Sequence, residues 1–210
     1  MKNFDKKYLS GKIKYIAGTD EAGRGPLAGP VVAAAVILPN NYYDERINDS
    51  KKLSAHLREE LFGVIRKNAL AYAYTVVSQN KIDKINILKA SLLAMQKSVE
   101  KLKIQPDIIL IDGNKSFSYD AEVITIVKGD SKSLSIASAS IIAKVVRDRI
   151  MMKLAKEYPY YGWETNRGYP TKEHIEAVLK YGACKIHRKT FLTKIFERSN
   201  QTELSFSELR

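Results

Sequence analysis

Apolar residues occur along the chain in short runs of strand length, separated by longer stretches with helical periodicity. The runs predict strands over residues 14–19, 31–38, 69–78, 107–111 and 122–127. The second run is almost continuously apolar, which is typical of a strand covered on both faces. Strands that alternate with helices favour an α/β fold, in which helices flank a central sheet.

Apolar residues three or four positions apart predict helices over residues 54–68, 87–102, 133–158 and 171–181. Ser54 has a side chain suited to a helix N-cap, and Gly182 is expected to end the last helix. Two histidines, His56 and His174, fall within predicted helices, and we expect both at the helix surface.

The chain of 210 residues carries 35 Lys and Arg against 23 Asp and Glu, a formal net charge of +12. The basic residues are spread over the whole length, which favours a polyanionic partner, with nucleic acid foremost. A soluble protein with a merely basic surface is the alternative. The single cysteine, Cys184, excludes an intramolecular disulfide framework and suits the reducing cytoplasm. No apolar run has the length of a membrane span, so we expect no membrane contact.

Acidic residues stand at the ends of three predicted strands, each with a glycine nearby: Asp20 with Glu21, then Asp112, then Asp130. Ligands of open α/β sheets bind at the carboxyl edge of the strands, where these side chains would meet. Carboxylates without Cys or His partners select Mg²⁺ or Mn²⁺, and two such ions support phosphodiester hydrolysis. Aspartate beside glycine also forms ordinary turns, so both interpretations stay open on the residues alone.

Asp20 and Glu21 are neighbours, and successive side chains of a strand point to opposite faces. They can therefore share a site only if the strand bends, which Gly23 would allow. The segment Gly23-Arg24-Gly25 combines close backbone approach with a guanidinium group, a combination suited to a phosphate and a ribose hydroxyl. A flexible connector is the alternative interpretation of this segment.

Residues 20–26, Asp-Glu-Ala-Gly-Arg-Gly-Pro, resemble the signature of the type 2 ribonucleases H, specifically bacterial ribonuclease HII. Further matching segments extend the resemblance over about residues 16–191, namely 48–54, 111–114, 128–131, 138–148, 168–171 and 187–188. The resemblance implies a ribonuclease H-like fold, with a central mixed sheet flanked by helices and a helical C-terminal part. The related ribonucleases HIII carry an additional N-terminal domain, for which the roughly fifteen residues before the first predicted strand leave no room.

The resemblance implies a metal-dependent endoribonuclease that cuts the RNA strand of RNA–DNA hybrids. It would also incise duplex DNA 5′ of embedded ribonucleotides, leaving 5′-phosphate and 3′-hydroxyl ends. The implied roles are removal of misincorporated ribonucleotides and of RNA primers. Asp20, Glu21, Asp112 and Asp130 correspond to the four catalytic, metal-binding carboxylates of the family, with two Mn²⁺ or Mg²⁺ ions as cofactors. A monomer is the default expectation.

The resemblance also implies which residues bind substrate. Gly23, Arg24 and Gly25 together with Tyr169 would recognise the 2′-hydroxyl at the junction, the group that distinguishes RNA from DNA. Ser50 and Lys51 resemble phosphate contacts of the family, although their segment would equally suit a solvated loop.

Lys144 lies one helical turn after Ser140, and Arg147 follows three residues later, so the three are expected on one helix face. That face either meets the nucleic-acid backbone or is exposed to solvent. His187 and Arg188 also match a family segment, and we expect no catalytic role for them.

We expect residues 1–196 to form a single catalytic domain and residues 197–210 to form a polar, mobile tail. Within the tail, the segment from Gln201 to Phe206 resembles short sliding-clamp-binding peptides, so a clamp is a candidate partner and a tail without a partner is the alternative. Two other functions stay open. A junction resolvase of the same fold would cut branched DNA, and a non-catalytic module would bind hybrids without metal.

Overall fold

The computed structural model describes residue 1, residues 3–193 and residues 195–197. Within them, five strands form one mixed sheet: β1 (Ile16–Ala22), β2 (Val31–Ile37), β3 (Ala71–Val77), β4 (Ile108–Asp112) and β5 (Glu122–Ile126). The spatial order is β3-β2-β1-β4-β5. β2 is antiparallel to both of its neighbours, whereas β1, β4 and β5 are parallel to one another. The predicted α/β fold with a mixed sheet is confirmed.

Helices cover the sheet and form the C-terminal part: α1 (Ala55–Asn68), α2 (Gln79–Ile85), α3 (Ile87–Glu100), α4 (Leu134–Glu157), α5 (Trp163–Asn166) and α6 (Lys172–Tyr181). Residues 189–193 and 195–197 are helical as well. Ser54 caps α1 as predicted, because its side chain accepts a hydrogen bond from the N–H of Leu57. Neither α2 nor α5 is predicted from the sequence, because their seven and four residues are too few to show a clear helical period.

The largest change from the predicted boundaries is in β1, which begins two residues later and ends three residues later than expected. Its pairing with β4 ends at Thr19, but its pairing with β2 continues through Glu21 and Ala22. Asp20 and Glu21 therefore lie inside a regular strand rather than after it. The extension depends on β2, a long-range partner that the local pattern of β1 does not reveal.

Strand β2 has all seven residues buried, as predicted for a strand covered on both faces. Its alternate residues Val32, Ala34 and Val36 belong to a hydrophobic cluster with residues of α1 and α4. The remaining residues of β2 pack on the opposite face against α2 and α3. The sheet is thus the middle layer of three, and both of its hydrophobic faces are covered.

Gly18 of β1 lies directly against the first turn of α4. A Cβ atom at this position would stand 2.2 Å from the backbone nitrogen of Ile136 and 2.2 Å from the carbonyl carbon of Ser135. Only glycine permits such an approach, because the atoms in the way are backbone atoms that cannot rotate aside. This contact fixes the position of α4 along β1.

No helix in the described part of the chain is long and apolar enough to cross a membrane. The predicted tail lies outside the described residues except for residue 197. The clamp-like segment from Gln201 to Phe206 lies wholly outside them, so both expectations stay predictions.

We expect Gly18→Ala to destabilise the protein by about 3 kcal/mol or more, because the added methyl group forces α4 away from β1. Gly63→Ala is the matched control, since nothing lies within 4 Å of a Cβ at that exposed position in α1. This control should stabilise the protein by about 0.5–1 kcal/mol. Urea denaturation measures both changes, and equal midpoints for the Gly18 variant and the native chain would contradict the close approach.

Candidate active site

Three carboxylates meet at one edge of the sheet. Asp20 lies in β1, Asp112 is the last residue of β4, and Asp130 lies in a short 3-10 turn after β5. One oxygen atom from each lies within 4.8 Å of the others. The three strands are parallel neighbours, so their carboxyl ends deliver the side chains to the same edge. Asp20 and Asp130 are buried there, with exposed fractions of 5% and 7%.

Crowding and burial make these carboxylates difficult to ionise together. Burial raises the pKa of Asp20 well above its usual value, and the charges of Glu21 and Asp112 raise it further. Burial and the charge of Asp112 also raise the pKa of Asp130. A cation would relieve this repulsion, and a donor set made only of carboxylate oxygens fits Mg²⁺ or Mn²⁺.

The Asp20 side chain has two neighbouring hydrogen-bond donors that favour its charged form. The N–H of Glu21 donates to Asp20 Oδ1 over 2.6 Å, and the Ser140 hydroxyl on α4 also lowers the pKa of Asp20. Ser140 lies in turn 2.7 Å from the hydroxyl of Ser50. Ser50 is buried and directed inward, so its side chain supports Ser140; its role as a phosphate contact stays a prediction.

Glu21 does not join the three aspartates. The bend that a shared site would require is absent, because Asp20, Glu21 and Ala22 continue the regular pairing with β2. Glu21 therefore points to the face covered by α3. There it lines a small cavity together with Asp112 and accepts a hydrogen bond from Arg24 over 3.3 Å. Burial raises the pKa of Glu21, and the charge of Asp112 adds to the effect of burial on both Glu21 and Asp20.

The Gly23–Gly25 segment follows β1 directly and is held from inside the protein by Arg188. The Arg188 side chain is fully buried and donates to the carbonyl oxygens of Gly23 (2.6 Å), Arg24 (2.9 Å) and Gly29 (3.0 Å). No expectation from the sequence places the Arg188 side chain inside the protein. Residues 187–188 match a family segment, but such a match does not indicate what the Arg188 side chain contacts.

Arg147 is buried, so neither expected environment for it, the nucleic-acid backbone or solvent, is correct. Its guanidinium donates to the carbonyl oxygens of Pro30 (3.2 Å), Ala28 (3.3 Å) and Arg167 (3.1 Å). The N-terminal two thirds of α4 are buried nearly all round, so a polar residue there faces other parts of the protein.

Tyr169 lies beside the Gly23–Gly25 segment, as the resemblance implied. The ring is 40% exposed and lies 5.6 Å from the Arg147 guanidinium and 5.9 Å from Lys144 Nζ. A Cβ atom on Gly25 would stand 3.7 Å from the ring. Arg24 and Gly25 are exposed beside the ring, whereas Gly23 is buried, so the exposed surface at the end of β1 consists of Arg24, Gly25 and Tyr169.

The two predicted phosphate-binding lysines differ in their surroundings. Lys51 has a side chain that is 78% exposed, and its Nζ lies 3.8 Å from Asp130 Oδ2. Lys144 is largely buried and pairs with Asp148 over 2.7 Å, and burial lowers its pKa. Lys51 is thus the freer of the two cations and the one next to the carboxylates.

The expectation that His174 lies on a helix surface is wrong, whereas His56 is exposed as expected. His174 Nε2 accepts from Trp163 Nε1 over 3.0 Å and lies 3.1 Å from His187 Nε2. Its Nδ1 lies 2.9 Å from the carbonyl oxygen of Tyr169. The N–H of Cys184 donates to His187 Nδ1, so both rings are satisfied as neutral imidazoles. The pair anchors the backbone of Tyr169.

Comparisons with known proteins give consistent matches over most of the chain. The family model described as Ribonuclease HII matches residues 17–194. Ribonuclease HII of Endomicrobium trichonymphae is 52% identical over 97% of this chain and 97% of its own length. That of Caldanaerobacter subterraneus subsp. tengcongensis is 51% identical over 94% of this chain and 82% of its own.

Among solved structures, ribonuclease H2 from Pyrococcus horikoshii superposes with a TM-score of 0.73 at 31% identity, covering 88% of this chain and 98% of that one. Ribonuclease HII from Archaeoglobus fulgidus, solved in complex with PCNA, gives a TM-score of 0.66 at 29% identity. It covers 83% of this chain and 94% of the neighbouring chain. The ribonuclease H-like fold is thereby confirmed.

We expect Asp112→Asn to stabilise the metal-free protein by about 1 kcal/mol, because the amide removes a charge that repels its neighbours. The asparagine oxygen can still accept the hydrogen bond that Gly129 N–H donates over 2.6 Å. Added Mn²⁺ should raise the unfolding temperature of the native chain and raise that of the variant much less. Thermal unfolding during a Mn²⁺ titration measures both effects.

Asp120→Asn, at an exposed carboxylate, is the control and should respond like the native chain. An equal response of the Asp112 variant would contradict the site.

Acid should destabilise the protein through the histidine pair. Burial and the neighbouring His174 lower the pKa of His187 from 6.5 to about 4. Between about pH 4 and pH 6.5, His187 therefore binds a proton in the unfolded chain but not in the folded chain. The corresponding stability is fully present above pH 6.5 and falls by about 3 kcal/mol as the pH drops through that window.

Urea denaturation between pH 7 and pH 4 measures this loss, and His187→Gln should flatten the slope that the histidine causes. His56→Gln, at the exposed histidine, should keep the native slope. Identical pH profiles for the native chain and the His187 variant would show that the pair does not remain neutral.

Proposed function

The chain belongs to the ribonuclease HII family, and on this premise we propose that it incises duplex DNA on the 5′ side of embedded ribonucleotides and hydrolyses the RNA strand of RNA–DNA hybrids. Membership of the family makes the chain an RNase H-type endonuclease, and therefore neither a junction resolvase nor a non-catalytic binding module. The observation that carries the finer proposal is the placement of a carboxylate cluster suited to metal next to an exposed glycine-arginine segment and Tyr169. We propose 5′-phosphate and 3′-hydroxyl products, and roles in removing misincorporated ribonucleotides and RNA primers.

Asp20, Asp112 and Asp130 would hold a Mn²⁺ or Mg²⁺ ion, and Glu21, which interacts electrostatically with Asp112, would contribute to holding a second one. Such ions, when bound, activate a water molecule and neutralise charge on the leaving oxygen. β1 and β4 hold Asp20, Glu21 and Asp112, and the turn after β5 holds Asp130, before substrate arrives, so little rearrangement is needed on binding. Ser140 and the N–H of Glu21 keep Asp20 oriented and favour its ionised form.

Recognition of the ribonucleotide would fall to Gly23, Arg24, Gly25 and Tyr169. This surface lies at the end of β1, the strand that also carries Asp20 and Glu21. The Gly23–Gly25 segment, which would recognise the sugar, thus directly follows the strand that carries two of the carboxylates proposed to support cleavage. Lys51, exposed beside Asp130, is suited to a phosphate close to the cleaved bond.

A basic groove continues from Tyr169 between α1, α4 and α5, with a volume of about 640 Å³. Its cationic lining residues are Arg58, Lys144, Arg149, Lys153, Lys156 and Arg167. Glu59 and Asp148 also line the groove and pair with some of these cations. We propose that the backbone of the substrate duplex follows this groove away from the carboxylates, which is consistent with the high net charge of the chain.

A labelled DNA duplex with one ribonucleotide, compared with an all-DNA duplex of the same sequence, tests the proposal. We expect the native chain to nick only the first duplex, on the 5′ side of the ribonucleotide, with Mn²⁺ or Mg²⁺ and not with EDTA. Asp112→Asn should lower the rate by about a hundredfold or more, because a metal ligand is lost. Tyr169→Phe should lower it less, by about tenfold, because the ring remains and only its hydroxyl is removed.

Asp120→Asn should cut at the native rate, since Asp120 lies outside the site. Equal cutting of both duplexes by the native chain would contradict recognition of the ribose.

A further inference from the structure

Arg188 is a buried cation that forms no ion pair within the described part of the chain, although the nearby charge of Asp83 favours its charged form. Its side chain is fully buried, and none of the ion pairs formed by the described residues includes it. The neighbouring charge of Arg147 adds to the cost of burying it. A buried charge of this kind persists only if its hydrogen bonds are well satisfied. The hydrogen bonds of the Arg188 side chain therefore indicate its role.

The hydrogen bonds that the Arg188 side chain donates all go to backbone carbonyl oxygens of one segment, and its guanidinium also lies 5.1 Å from the centre of the Phe191 ring. Arg188 Nη2 donates to Gly23 and Pro30 over 2.6 Å and 3.2 Å, Nη1 donates to Arg24 over 2.9 Å, and Nε donates to Gly29 over 3.0 Å. One planar guanidinium thus bonds to both ends of the segment between β1 and β2 and fixes the two ends relative to each other. Lysine has a single charged nitrogen and cannot reproduce this set of contacts.

These bonds also determine where two N–H groups point. The described peptide bonds are all trans, so each N–H is directed opposite to the carbonyl of its own peptide unit. The carbonyls of Gly23 and Arg24 face inward to Arg188, and the N–H groups of Arg24 and Gly25 therefore face outward. Both residues are exposed, and neither N–H donates to a backbone carbonyl in the described loops.

The outward N–H groups lie beside the Tyr169 ring, since a Cβ on Gly25 would stand 3.7 Å from it. We propose that Arg188 is a positioning residue for ribonucleotide recognition, which presents the N–H groups of Arg24 and Gly25 as a pair of donors to an oxygen of the ribose. The cation at the inner end of each peptide unit also polarises it, which strengthens the outer N–H as a donor. This inference rests on the proposed function, because it assumes that the segment reads the ribose.

The test separates ribose recognition from cleavage by measuring binding in Asp112→Asn protein with Mg²⁺ present. We expect this protein to bind a duplex with one ribonucleotide about tenfold more tightly than the all-DNA duplex. Adding Arg188→Lys should reduce that ratio of affinities to a value between about one and about two, because the guanidinium group that orients the two N–H groups is lost. The affinity for the all-DNA duplex should stay within about twofold, because no phosphate contact is removed.

Val178→Ala in the same background is the control for lost stability, since it removes buried methyl groups from the C-terminal cluster without touching the segment, and it should keep the tenfold ratio. An unchanged ratio with Arg188→Lys, or equal weakening for both duplexes, would overturn the inference. If Asp112→Asn protein alone shows no preference, the proposed reading of the ribose fails, and the inference fails with it.

A second measurement needs no change at Arg188 and covers the case in which that variant does not fold. In Asp112→Asn protein, the amide NMR signals of Arg24 and Gly25 should shift on addition of the ribonucleotide duplex and shift much less with the all-DNA duplex. Equal shifts with both duplexes would show that these N–H groups do not contact the ribose.

Discussion

The candidate site depends on the close packing of α4 along β1. Three contacts join α4 in register to β1 and to the residue directly after it: Gly18 with Ile136, Asp20 with Ser140, and Gly23 with Arg147. From the first contact to the last, the strand advances five residues and the helix eleven. At their usual rises per residue, both distances are about 16 Å. The absence of a side chain at Gly18 therefore sets the position of every α4 residue that meets β1.

This register explains how the sheet can hold so much negative charge at one edge. Asp20 faces α4 and Glu21 faces α3, so the alternation of the strand directs two adjacent carboxylates to opposite faces of the sheet. The charge of Glu21 still adds to the effect of burial in raising the pKa of Asp20. Asp112, at the end of the neighbouring strand, interacts electrostatically with both. The rigid strands prevent these groups from moving apart, so the repulsion remains until a counter-charge arrives. Burial chiefly raises the pKa of Asp20, and the fixed backbone that keeps these carboxylates together also preorganises their oxygens for a divalent cation.

Sequence alone predicted the five strands, four of the helices and the carboxylates at the sheet edge, because these follow from local periodicity and from one continuous motif. It did not predict features that depend on distant partners. The extension of β1 requires β2, and the burial of Arg147 requires carbonyl groups 117 to 119 positions earlier in the chain. His174 was expected at a surface because its partners, Trp163 and His187, lie in other elements. A polar side chain carries no local signal of burial when its partners lie elsewhere.

The C-terminal segment completes the site in a way that the carboxylate motif alone does not suggest. Main-chain hydrogen bonds join Gly29 to Ile186 and Leu27 to Arg188, and the Arg188 side chain reaches residues 158 to 165 positions earlier. Asp20, Glu21 and Asp112 lie in the sheet and Asp130 lies in the turn after β5, whereas the surface beside Tyr169 takes its shape from the far end of the chain. Contacts of such large sequence separation form late, because the cost of closing a long loop must be met first. We therefore expect the folding chain to assemble the carboxylate edge before the surface that would read the ribose.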